Sequence, residues 1–96
     1  EISAGVYWGL KRKRDNGMTV IHLYADETLK NDKLPSVKPN PNHNGAYVIQ
    51  AVQIHVGGTK WDGSHGCITI HPIDWKYFER MIENDKNFIV EIKEAK

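Results

Sequence analysis

Asn16-Gly17, set between two runs of β-forming residues, constrains this chain more than any other pair, because Asn-Gly is the strongest short-range signal for a β-hairpin. Before it, Ala4 to Leu10 carries Val6, Tyr7, Trp8 and Leu10 and reads as a first strand, with Lys11-Arg12-Lys13-Arg14 as its charged end. After it, Met18 to Tyr24 alternates, with Thr19, Ile21 and Leu23 on one face. Such a hairpin needs a further layer over its apolar face. The 96 residues fit one domain, 1–96, with a modest core.

The rest of the chain divides into short runs. Lys30 to Gly45 holds Pro35, Pro39 and Pro41 with Asn40, Asn42 and Asn44, which excludes a central strand or a helix interior. A long loop is expected there, either a substrate-side lid or a solvated connection. Val48 to Val56 is rich in β-branched residues and reads as one strand with His55 at its end, broken by Gly57-Gly58. Gly66 to Ile70 reads as another, with Ile68 and Ile70 on one face and Cys67 and Thr69 on the other. His71-Pro72 leads into a helix with Asp74 as its expected N-cap. Trp75, Phe78, Met81 and Ile82 follow at helical spacing, while Lys76, Glu79, Arg80 and Glu83 face water. Phe88 to Ile92 is a final strand with Phe88, Val90 and Ile92 inward. The expected fold is mostly β (α+β), with one main helix near residues 74–83.

Several function classes fall away. Acidic and basic residues nearly cancel, so a net charge of +1 gives no global attraction to nucleic acid or membrane. The Lys11–Arg14 run lacks the interleaved aromatics of a nucleic-acid platform and reads as a solvated face. No apolar run approaches the ~20 residues of a membrane span. Glu1 to Arg14 lacks the basic-then-apolar order of a signal peptide. A monomer is expected.

The single cysteine, Cys67, cannot form an internal disulfide, so its thiol is either inert and buried or reactive. Its neighbours favour reactivity. A nucleophilic cysteine needs a base, and imidazole suits because it titrates near neutrality. His55 and His65 are both near in sequence. Such a nucleophile also needs backbone N–H donors for a developing oxyanion, and Gly66 leaves its own N–H and that of Cys67 accessible. His55 ends one strand and Cys67 begins another, so neighbouring strands would let the ring face the thiol.

Ser64-His65-Gly66-Cys67, with a histidine upstream at a strand end, resembles the signature of the L,D-transpeptidase (YkuD-type) catalytic domain. The likeness continues through Ile68-Thr69-Ile70-His71-Pro72 into a helix and the Phe88–Ile92 strand, and is looser in the first half. It implies a compact β-sandwich or barrel-like fold. It also implies that Cys67 attacks a carbonyl in a peptidoglycan stem peptide beside a terminal D-amino acid, with His55 as base. The Val56 carbonyl would orient that imidazole. Gly66 and Cys67 would supply the oxyanion hole, His65 would lie beside the substrate, and Ser64 would shape the turn. Val56, Gly57, Trp61, Asp62, Ser64 and Thr69 form the implied substrate side. The acyl-enzyme would pass to an amine, giving a crosslink or D-amino-acid exchange, or to water, giving L,D-carboxypeptidase action. Neither cofactor nor metal is implied, and the implied location is the cell envelope or a secreted state. Thr69 stands where many members carry arginine, and the His55–Cys67 interval is short. Short versions resemble domains of secreted antibacterial effectors and phage-associated enzymes, and an effector would have an immunity protein as partner.

The competing reading is a non-catalytic wall-binding module, or one stabilised by zinc through His55, His65, Cys67 and His71. Structural zinc sites favour several paired cysteines, which this chain lacks. His22 and His43 read as ordinary residues, and Trp75 as core.

Overall fold

The computed structural model describes residues 2–57 and 68–93. Its strands are β1 (Gly5–Lys13), β2 (Thr19–Tyr24), β3 (Lys33–Asn40), β4 (Ala46–Gln50), β5 (Gln53–Val56), β6 (Ile68–Ile70) and β7 (Asn87–Ile92). One α-helix, α1 (Pro72–Met81), lies between β6 and β7, and a single 3-10 turn, Pro41–His43, joins β3 to β4. The described residues therefore form a mostly-β α+β fold, as the patterning predicts.

Five strands form one sheet in the order β6-β5-β2-β1-β7, and β3 and β4 form a second. The β1–β2 hairpin turns through Asp15–Gly17, where the Arg14 amide donates to the Met18 carbonyl at 2.9 Å and Gly17 takes a φ of 85°. The Asn16 side chain accepts from the Met18 amide at 2.9 Å, closing the turn. Gly9 sits at the sheet centre, where a Cβ would lie 2.6 Å from the Ile21 side chain and 3.2 Å from that of Val90. Only glycine lets β1 approach both neighbours that closely.

The core lies between the two sheets, with Ile21, Leu23 and Ile54 from the larger and Leu34 and Ile49 from the smaller. Ile68, Ile70, Phe88, Val90 and Ile92 pack against it half-buried, as their alternation predicts. The N-terminal segment joins through an Ile2↔Ser36 bridge. Tyr7 seals this corner by donating its hydroxyl to the Ser3 carbonyl at 2.6 Å, and burial pushes its phenol pKa up.

Five expectations are corrected. Lys30–Gly45 is not a long loop, because it contains β3, paired with β4 through Leu34↔Ile49 and Pro35↔Val48. Proline is tolerated because β4 is the one strand laddered to β3 and the other edge of β3 meets the chain through the Ile2↔Ser36 bridge, with the Pro35 carbonyl accepting from the Ser3 amide, so a missing N–H on that edge costs little. Val48–Val56 is two strands rather than one: Ala51, at φ 59°, turns the chain from β4 in the small sheet to β5 in the large one. The helix runs 72–81 rather than 74–83. His71, not Asp74, is its N-cap, with the ring Nδ1 accepting from the Ile73 amide at 3.2 Å, Pro72 inside the first turn and Asp74 in the first turn beside the positive helix end. Met81 is not core but 80% exposed, because the inward stripe is Trp75, Phe78 and Ile82 and Met81 lies one residue off it.

Candidate functional site

The parallel pair β5–β6 organises the candidate site. Ile54 pairs with Ile68, His55 with Thr69 and Val56 with Ile70. Directly paired residues share a face of the sheet. Ile54 and the isoleucines of β6 face the core, so His55 and Thr69 share the opposite face, where Thr69 is exposed and His55 half-buried. The neighbouring-strand condition set by the sequence is therefore met up to Ile68. Parallel strands cannot be joined by a tight turn and need a long crossover. β5 ends at Val56 and β6 begins at Ile68, and in the sequence the cysteine motif comes just before β6.

The His55 imidazole is held locally. Its Nδ1 lies 2.9 Å from the Val56 carbonyl oxygen. A carbonyl only accepts, so Nδ1 carries the proton in this bond and the neutral ring keeps its lone pair on Nε2. This tautomer is the one a general base needs. Gly57 follows, its amide donating to the Ile70 carbonyl at 2.8 Å. A Cβ there would lie 2.9 Å from the Thr69 Cβ, so glycine is what allows the chain leaving β5 to run against β6.

Positive charge reaches the same face from the hairpin. The Arg14 guanidinium donates to the Gln53 side-chain oxygen, from Nε at 3.1 Å and also from Nη2. Gln53 is two residues before His55 and so lies on the same side of β5.

Of the sequence-predicted site residues, the structure brings together His55, Val56, Gly57 and Thr69. Trp61, Asp62, Ser64, His65, Gly66 and Cys67 lie outside the described residues, as does part of the zinc set. The ring Nδ1 of His71 is engaged in capping α1. No cluster of three or more metal-ligating side chains occurs among the described residues.

Against protein-family models, curated proteins and solved structures, the chain has no significant match.

Sequence reasoning passed over His22. It is 9% exposed, its Nε2 lies 3.1 Å from the Asp32 carboxylate, and its ring packs against Tyr24 at a tilt of 34° with centroids 4.7 Å apart. Asp32 also accepts from the Gln50 side chain at 3.0 Å. This network ties β2 to the segment entering β3 and to β4. The available signal was a histidine inside an otherwise apolar strand, Val20-Ile21-His22-Leu23-Tyr24, where both neighbouring positions are buried. A buried polar group there requires a partner.

Proposed function

We propose that this chain is a cysteine-dependent acyl-transfer enzyme of the cell envelope, acting on peptidoglycan stem peptides as an L,D-transpeptidase, an L,D-carboxypeptidase or both. The observation that carries the reading is the His55 ring, fixed through Nδ1 by the Val56 carbonyl so that the lone pair of the neutral ring lies on Nε2, on a strand parallel to the one that Cys67 immediately precedes. The Ser64-His65-Gly66-Cys67 sequence supports it independently.

In this mechanism His55 Nε2 takes the Cys67 thiol proton and the thiolate attacks the carbonyl carbon of the peptide bond to the terminal D-amino acid. The N–H groups of Gly66 and Cys67 stabilise the tetrahedral oxyanion. Collapse breaks the C–N bond, and the His55 imidazolium gives its proton to the departing amine, leaving a thioester. An amine or water then attacks, His55 accepts the proton, and the Cys67 sulfur leaves and is reprotonated. The Val56 carbonyl stabilises the imidazolium through the same Nδ1–H bond. The reading requires the sulfur to come within ~3 Å of Nε2, directly or through one water.

Incubation with a defined tetrapeptide muropeptide, followed by mass spectrometry, tests this. The expected product has lost its terminal D-amino acid or carries a new amine in its place. Cys67→Ala should abolish product while leaving thermal unfolding unchanged, and His55→Ala should lower kcat by ~10²–10⁴-fold. Activity should follow a bell in pH, since the step needs one group free to accept a proton and another able to give one. Undiminished turnover by Cys67→Ala, or a flat profile over about pH 5–9, would overturn the proposal.

A further inference from the structure

The charge run dismissed by patterning as a solvated face lines a groove. Between the end of β1 and the outer side of α1 lies a groove of about 590 Å³. Its walls carry Lys11, Arg12, Lys13, Lys76 and Arg80 against the acids Glu79 and Glu83. Five cations against two acids leave a local excess of three, whereas the whole chain has a net charge of only +1. The basic character of the molecule is concentrated here.

One of these cations builds the floor. Lys11 Nζ donates to the Ile82 and Glu83 carbonyls at 2.9 and 3.0 Å, pinning the end of α1 to β1. Among the described residues the ion pairs are His22–Asp32 and Lys93–Glu91, so Lys13, Lys76 and Arg80 face the groove with no carboxylate in contact. Their charge is presented on a floor already held, which lowers the ordering cost of binding.

We propose that this groove docks an acidic segment of a partner protein, independently of the catalytic reading. Carboxylates on the segment would meet Lys13, Lys76 and Arg80, and an occasional lysine or arginine would meet Glu79 and Glu83 on the helix wall. That mixed wall decides against a nucleic acid, whose uniform phosphates would be repelled by both glutamates and whose bases would find no aromatic side chain lining the groove among the described residues. It decides equally against an anionic membrane, which attracts a uniformly basic surface.

The test is fluorescence anisotropy with the whole chain and labelled probes at low salt. The probes are a twelve-residue Glu/Asp-rich peptide containing one lysine, its charge-reversed counterpart and single-stranded dT20, with phosphatidylglycerol vesicles assayed by co-sedimentation. The acidic peptide should bind more tightly than the other three and weaken as salt rises. Lys13→Glu combined with Arg80→Glu, both on exposed side chains, should weaken it by about tenfold or more with unchanged thermal unfolding. Lys38→Glu combined with Lys93→Glu, both exposed and outside the groove, should have little effect and matches the change in net charge. Equal binding by the groove variant, equal loss in this control, or tighter binding of dT20 or vesicles would overturn the proposal.

Discussion

His55 and Gly57 show how much single residues settle at the candidate site. The Nδ1–H bond to the Val56 carbonyl needs no distant partner, so the ring's tautomer is set by the strand that carries it. Gly57 acts through what it lacks. A methyl group there would sit 2.9 Å from the Thr69 Cβ and 3.3 Å from its Oγ1. Gly57→Ala must therefore push β6 away from the end of β5, against the 2.8 Å bond from the Gly57 amide to the Ile70 carbonyl. We expect a loss of ~1–3 kcal/mol in urea unfolding, typical of overpacking. Turnover should fall further than stability explains, since the same shift moves Thr69 relative to His55. A variant as stable and active as the parent would show that this close approach is not maintained in solution. The glycine was visible in the sequence as a strand breaker, but its tight contact with Thr69 was not, because that contact depends on which strand lies alongside.

At the level of elements, the β4–β5 corner is the clearest departure from pattern. Val48 to Val56 reads as one strand because β-branched residues continue through it, yet Ala51 adopts φ 59° and the strand divides. The division is imposed by burial: Ile49 and Val52 both enter the core, and the Val52 carbonyl accepts from the Leu23 amide at 3.0 Å. A left-handed conformation costs a non-glycine residue roughly 1 kcal/mol. Ala51→Gly should recover part of this, offset by glycine's greater freedom in the unfolded chain, and so change stability little or raise it slightly. Ala51→Val, β-branched and ill-suited to that φ, should destabilise by more than 1 kcal/mol, about the cost of forcing a branched side chain there. Thermal unfolding of the two variants side by side checks the expectation, which fails if valine is the better tolerated. β3 was hidden for a related reason. Prolines exclude a central strand, and β3 is instead half of a two-stranded sheet with Leu34 and Ser36 turned inward.

Over the whole molecule, the two sheets hold together through a few fully buried side chains, and Leu34, at 1% exposure, is the main contribution of β3. Leu34→Ala should cost ~2–5 kcal/mol by losing burial and leaving a cavity, read as a lowered midpoint in denaturant. A change below 0.5 kcal/mol, about the scale of a surface substitution, would mean that the small sheet is not integral to the core. The sequence by itself determined the hairpin, the mostly-β class, the presence of α1 and the inward faces of β6 and β7. Each follows from local periodicity, turn chemistry or capping, which act over a few neighbouring residues. It also supplied the residue types of the proposed chemistry. Only the tertiary structure decided that β5 and β6 run parallel, that Ala51 divides a continuous β-forming run, that His22 finds Asp32, and that a basic strand end faces α1 across a groove. These depend on pairings between segments far apart in the chain, and burial of a shared apolar face selects among them with a strength that no short window of sequence contains.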